Sequence, residues 1–413
     1  MAYKLERDCQ TFYQPIGIEI VERAIVRRLL AFECSFDRLQ DPGLLLIDAT
    51  ECDAHSVFHA LYDAYPDSVH VMPSPEIAKA AGLPCDGKRI TGLSNLLKPE
   101  STFNIVSGSE VFVHQTQGLG VVVFNKLLQS IPQNCRLRLV GDTVAPNLID
   151  GPSAFTTLMR SGRFATRTAK GEVFVSELEM GARCQMAKLA TYQLKLWPLP
   201  VEQRAPGRSH EEFVIETAAT YREAAFKGSA VILCGTAEES SNWNIMFHNE
   251  EIELREFEGR AAPSVLLHNH MTATVGEPIV CVATHLERGL VAGMRGNLSW
   301  LPNSKTPSPF AGNQASAAVA NFLGLGEISL SHNELTALDL CYACRPSLAC
   351  LSHWDTVVVP AVSALTKSLL TQAQSVASRV VVVQRIGSAV NASFSQVPRA
   401  TRLLPGLANK LSA

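Results

Sequence analysis

Long apolar runs are missing from this chain of 413 residues. Stretches such as AVILC at 230–234 fall far short of the ~20 residues that a membrane helix needs, so no membrane partner is expected. The opening MAYKLERDCQ carries charge and no apolar h-region, and no secretory signal is expected. Disulfide-type spacing is missing too. The 11 cysteines are odd in number and scattered, which fits a reducing, cytoplasmic compartment. In that setting the sequons at Asn297 and Asn391 carry no weight. A strong charge of one sign is also absent: the net charge of −3 gives no global field for nucleic acid. There is no G-x-S-x-G elbow around Ser240 and Ser241 in GTAEESSNW, which reads as a capped helix start or a loop. Lys305-Thr306 in NSKTPSP has no glycine-rich loop before it, so it reads as a linker rather than a phosphate site.

What is there is a 46% apolar chain, enough for two or three packed domains. Its charge is uneven. From Thr356 onward no Asp or Glu occurs, while Lys367, Arg379, Arg385, Arg399, Arg402 and Lys410 supply positive charge. A second basic region, Arg136, Arg138, Arg160, Arg163, Arg167 and Lys170, faces only Asp142 and Asp150. Either could follow a phosphate backbone, or be a solvated surface.

Hydropathy alternates. IEIVERAIVRRLLAFE has the spacing of an amphipathic helix, and PGLLLIDA is an unbroken run suited to a strand buried on both faces. HSVFHALYDAY reads as a helix and SVHVMPS as a strand. EVFVHQ, GVVVFNKLLQSI and CRLRLVGD continue the alternation. PLPVEQRAPGRSH, 198–210, reads as a linker. EEFVIETAATYREAAF (helix) and SAVILCG (strand) open a second unit, and ALDLCYAC, WDTVVVPA and RVVVVQRI close it. Between them, 258–326 turns to Gly, Pro and short strands, a small β-rich insertion. The whole predicts parallel sheets covered by helices, an α/β class.

This order resembles that of superfamily 1 helicases, in particular their RecD-like branch. IPQNCRLRLVGDTVAPNLIDGP is similar to the family's LPPGARLVLVGDPDQLPPVGPG, and GLLLIDATECDAHSVFHALYDAY falls on its strand, phosphate loop and helix. VHVMPSPEIAKAAG, RITGLSNLL and EVFVHQTQ resemble later segments of the first unit. VGEPIVCVATHLERGLVAGMRGNL, CYACRPSLACLSHWDTVVVP and SLLTQAQSVASRVVVV resemble those of the second, in colinear order over nearly the whole chain. The resemblance implies two RecA-like parallel-sheet domains with a small β-rich insertion in the second. It places a helical segment at 1–40, the first domain at 41–197, the linker at 198–210, the second domain at 211–257 and 327–413, and the insertion at 258–326.

The family's nucleotide site is rewritten here. A phosphate loop needs glycines to aim N–H groups at phosphate and a Lys to meet its charge. The resemblance puts Asp48, Glu51 and Asp53 at the glycine positions, Ala54 and His55 at the Lys-Thr pair, and His114 and Gln115 at the metal-holding acid and its neighbour. Ala145 stands at the phosphate sensor, Met180 at an expected arginine and Ser375 at the arginine finger. On this reading the chain is a degenerate helicase, expected to be no enzyme and to need no cofactor.

The implied role is binding of nucleic acid, single-stranded DNA above all, or organisation of a protein complex. Lys79, Lys88 and Arg89 fall in the strand-contacting region by resemblance, with Arg379 and Arg385 as further candidates. One alternative is a protein scaffold with apolar patches on the cleft. Another is a zinc-dependent enzyme using Cys341, Cys344, Cys350 and His353. Against zinc, cysteines three apart on one strand face opposite sides. His268 and His270 would share one face of a possible strand and read as ordinary surface or core histidines.

Overall fold

The run LLLID forms β1 (Leu44–Asp48) and is buried on both faces. Leu44 and Leu46 enter one apolar cluster, Leu45 and Ile47 another, as successive side chains of a strand must. The computed structural model describes residues 15–34, 42–50, 54–83, 88–98, 103–143, 153–169, 201–207, 209–259, 263–302, 317–361 and 367–385. Ahead of β1, helix α1 (Pro15–Cys34) buries Ile25, Leu29 and Phe32 along one face.

Around β1 lies a six-stranded sheet in the order β3-β2-β4-β5-β1-β6, parallel throughout. Its further strands are β2 (Val69–Met72), β3 (Ile90–Gly92), β4 (Glu110–Val113), β5 (Arg136–Gly141) and β6 (Ala165–Thr168). The connecting helices are α2 (Ala54–Ala64), α3 (Pro75–Ala80), α4 (Leu93–Leu97), α5 (Val121–Ser130) and α6 (Ala154–Ser161). Arg28 on α1 donates to the carbonyls of Leu128 at 3.0 Å and Ile131 at 2.6 Å, so it satisfies the orphan groups at the end of α5.

The second parallel sheet has the order β16-β8-β17-β18-β7. Its first strand corrects the linker expectation: β7 (Val201–Gly207) lies within 198–210 and pairs with a single neighbour. An edge strand tolerates the Pro206 that made the segment look like a loop. Helix α7 (His210–Lys227) starts on a Ser209 cap, then come β8 (Ala230–Leu233) and α8 (Ala237–Phe257). Of the two readings of GTAEESSNW the capped start is the one observed: Thr236 and Glu239 form a reciprocal capping box.

From β9 (Ser264–Leu266) and β10 (Thr272–Thr274), a small antiparallel ribbon, the chain enters an antiparallel sheet ordered β14-β13-β12-β11-β15. Its strands are β11 (Pro278–Cys281), β12 (Arg295–Trp300), β13 (Ala318–Phe322), β14 (Gly326–Leu330) and, after the short helix α9 (His332–Leu335), β15 (Leu338–Leu340). The β-rich region therefore runs on to 340. One apolar core continues from α1 and the first parallel sheet into this antiparallel sheet.

ALDLCYAC is not one strand. It breaks after β15, and β16 (Ala343–Cys344) joins the second parallel sheet. Asn244 of α8 bridges the break: its amide donates to the carbonyls of Leu340 (2.9 Å) and Ala343 (3.1 Å) and accepts from the Ala343 N–H at 2.8 Å. These are backbone groups that a strand changing sheets leaves without ladder partners. Then follow α10 (Pro346–Ala349), β17 (Trp354–Ala361), α11 (Lys367–Ser375) and β18 (Ala377–Arg385). The α/β class expected from the alternation is the class observed, two all-parallel sheets flanked by helices. No helix among the described residues is long and apolar enough to cross a membrane.

Candidate nucleic-acid interface

The carboxyl edge of a parallel sheet is where α/β folds place their ligands. At this edge β1 ends in Asp48, whose carboxylate accepts from the Thr50 N–H at 3.0 Å and the Thr50 hydroxyl at 2.5 Å. Thr50 in turn accepts from the Thr143 N–H at 3.0 Å, so the ends of β1 and β5 are tied together. Glu51 and Asp53 lie outside the described residues. Ala54 opens α2, and the side chain of His55 is also outside them.

At the end of β4 the structure turns His114 inward. The Ser68 hydroxyl donates to the Tyr65 carbonyl at 2.6 Å, which leaves it to accept from His70 Nε2 at 2.8 Å. His70 Nδ1 then accepts from His114 Nε2 at 2.9 Å. Both rings are neutral in this chain. Burial, first of all, pulls His70 down to about 2, helped by His114 and Arg89, and burial alone pulls His114 down to about 3. Phe58 and Phe112 pack against the pair. His114, placed by the resemblance at the nucleotide edge, is thus a core residue. Gln115 follows in a left-handed conformation (φ 49°) and is buried. Gly141 at the end of β5 admits no side chain, since a Cβ there would lie 2.7 Å from the Phe155 ring. Ala145 and Met180 lie outside the described residues. Ser375, at the end of α11, donates to the Gln372 carbonyl at 2.8 Å.

Of the expected strand-contacting residues, Lys79 and Lys88 are exposed. Arg89 is used internally, donating to the carbonyls of Tyr62 (2.8 Å) and Tyr65 (2.9 Å) with its guanidinium 3.8 Å from the Tyr62 ring centre. Arg379 is paired with Glu202, and the Arg385 side chain lies outside the described residues. The basic region of the first sheet divides. Arg138 is buried, donating to Glu110 at 2.8 Å and to the Pro42 carbonyl at 2.6 Å. Arg160, Arg163 and Arg167 are exposed at the end of α6 and on the edge strand β6.

Across the molecule, Arg295 of β12 grips Glu76 of α3, with Nε 3.0 Å from Oε2. The same guanidinium lies 3.9 Å from the centre of the Trp354 ring. Burial, opposed by Arg295, raises the Glu76 carboxyl above its ordinary value. Sequence reasoning missed this joint, as it missed a polar cluster at the foot of α8. There Glu277 accepts from His248 (2.9 Å), Tyr342 (2.9 Å) and the Thr274 N–H (2.6 Å), while Thr272 lies 2.9 Å from the second nitrogen of His248. Residues from three separate segments meet there, and no local spacing could announce it.

The strand-alternation argument raised against the zinc alternative does not hold in the structure. The break at Cys341–Tyr342 puts Cys341 and Cys344 in one buried cluster, and the neighbouring Cys341 thiol together with burial raises Cys344 well above its ordinary value. His353 instead turns to Ser378, 2.9 Å away. Among the described residues no group of three or more His, Cys, Asp or Glu could hold a metal ion. His268 and His270 sit in a short 3-10 turn rather than a strand, with Asn269 (φ 54°) and His270 (φ 60°) left-handed.

No protein-family model matches the chain, and no curated protein matches it in sequence. Solved structures with a related arrangement include three Pif1 helicases. A Bacteroides Pif1 with ADP-AlF3 and single-stranded DNA is 10% identical over 86% of this chain and 91% of its own, at a TM-score of 0.37. Candida albicans Pif1 is 11% identical over 92% and 96%, at 0.36. Bacteroides Pif1 bound to single-stranded DNA is 11% identical over 82% and 88%, at 0.34. All three are helicases, and helicases are enzymes. The expectation that this chain is no enzyme is corrected on that finding and is not kept.

Proposed function

We propose that the chain binds the phosphate backbone of nucleic acid, single-stranded DNA above all, and does so as a helicase-like subunit of a larger assembly. The observation that carries this reading is the run of exposed Arg160, Arg163 and Arg167 along the edge of the first sheet. No Asp or Glu occurs between Gly151 and Lys170. Exposed Lys79, in the segment that resembles the family's strand-contacting region, lies toward the opposite edge of the sheet and offers a separate positive contact. Cations held on a rigid edge lower the cost of meeting successive phosphates, and counterion release supplies the affinity.

The test is anisotropy of a labelled single strand and a labelled duplex, titrated with protein at several salt concentrations. Tighter binding of the single strand, falling steeply with salt, is expected. The combined variant Arg160→Glu, Arg163→Glu, Arg167→Glu should shallow the log–log salt slope by about 2, at ~0.7 per lost phosphate contact. Absence of binding at low salt would refute the reading.

A further inference from the structure

Three large apolar side chains are left in solvent toward the carboxyl ends of two helices. Phe226 is 93% exposed, Phe257 92% and Leu254 56%. Phe226 lies one turn beyond Arg222 on α7, and Leu254 and Phe257 lie one and two turns beyond Glu250 on α8. Arg222 and Glu250 are bonded to each other at 2.5 Å, and one level deeper the rings of Tyr221 and Phe247 pack 4.8 Å apart. Each helix runs back along the same parallel sheet, so both point the same way. The next turns therefore carry Phe226, Leu254 and Phe257 to the same end of the helix pair, each still open to solvent. The patch lies at the carboxyl ends of the helices, which is the amino end of the strands. It is remote from the carboxyl edges where a scaffold was expected to expose its apolar surface.

Its rim is acidic. Arg222 is neutralised by Glu250, and Lys227 by Glu223 at 2.6 Å. That leaves exposed Glu253 and Glu256, together with the negative carboxyl ends of two helices. Such a field repels phosphate, so neither nucleic acid nor an anionic membrane fits there. We propose that this patch docks a basic amphipathic helix of a protein partner. The partner's apolar face covers Phe226, Leu254 and Phe257, and its Lys and Arg side chains meet Glu253, Glu256 and the terminal helix carbonyls. Large aromatic anchors inside a charged rim are the usual composition of an interface hot spot. This surface does not depend on the arginine edge of the first sheet, so it stands or falls apart from nucleic-acid binding.

The test uses the full chain and two labelled synthetic amphipathic helices that share one leucine face. One is lysine-rich on its polar face, the other glutamate-rich. Anisotropy should show the lysine-rich helix binding at least about tenfold more tightly, with that preference shrinking at high salt. The double variant Phe226→Ser, Phe257→Ser changes only exposed side chains. It should weaken the lysine-rich helix at least about tenfold and leave binding of a labelled single strand as it was. Glu253→Lys with Glu256→Lys should reverse the preference between the two helices. Equal affinity for both helices, binding of neither, or no response to the double Phe variant would overturn the proposal. So would a dimer of the chain that dissociates in that variant, because the occupant would then be a second copy.

Discussion

The two parallel sheets bury polar atoms by opposite means. Beneath the first, two imidazoles and a serine hydroxyl hand a hydrogen bond along from His114 through His70 and Ser68 to the Tyr65 carbonyl. Beneath the second, the strands are valine-rich, with Val357 and Val359 of β17 beside Val380 and Val382 of β18. Among its polar restraints are the amide of Asn244 and the bond between His353 and Ser378. The imidazole chain and the Asn244 amide both satisfy their buried groups. Only the first sheet bonds two buried imidazoles to each other, so the two sheets should respond differently to acid.

The largest expected effect tests that difference directly. In the fold His70 and His114 titrate near 2 and 3, against about 6.5 in the unfolded chain. Between those limits the unfolded state binds more protons, so stability is fully present above pH ~6.5 and falls as the pH drops below it. From pH 7.5 to 5 the loss is about 2 kcal/mol for each ring, about 4 kcal/mol together. Urea midpoints at the two pH values should record it, and His70→Leu with His114→Leu should flatten most of it. An acid loss of the same size in that double variant would rule out the pair as its source.

A smaller effect is expected at the other sheet. Asn244→Leu strips the side-chain partner from the Leu340 carbonyl and the Ala343 N–H, while the Ala343 carbonyl keeps Ser240, at a cost of about 2 kcal/mol. The cost should be equal at pH 7.5 and 5, because an amide does not titrate in that range. A cost that changes with pH would blur the contrast between the sheets. Least of all, Thr236→Ala removes the exposed cap of α8 and should cost about 1 kcal/mol at either pH, measured by the same unfolding curves.

What the sequence made legible was local. LLLID, the valine runs of β17 and β18, and the helix α7 follow from periodicity within one segment, whereas GTAEESSNW left a capped start and a loop both open until Thr236 and Glu239 showed the cap. What it hid was decided by distant partners. ALDLCYAC has the hydropathy of one strand, and its division between two sheets is held by Asn244, 96 and 99 residues earlier in the chain. Cys341 and Cys344 share one buried cluster only because of that division. His114 sits where the resemblance puts a nucleotide-edge residue, yet its ring turns inward because His70 and Phe58 build a slot for it. Of the basic residues, composition could not separate Arg138, spent on Glu110, from exposed Arg167.

The joint between β15 and β16 also sets how the molecule can transmit force. Just two residues, Cys341 and Tyr342, separate the strands, and Tyr342 is itself pinned by its hydroxyl to Glu277 at 2.9 Å. A torque on the antiparallel sheet reaches the edge of the second parallel sheet without slack, as through a single stiff spar. On the far side the antiparallel sheet is held to the first parallel sheet by a shared apolar core as well as by Arg295 bonded to Glu76.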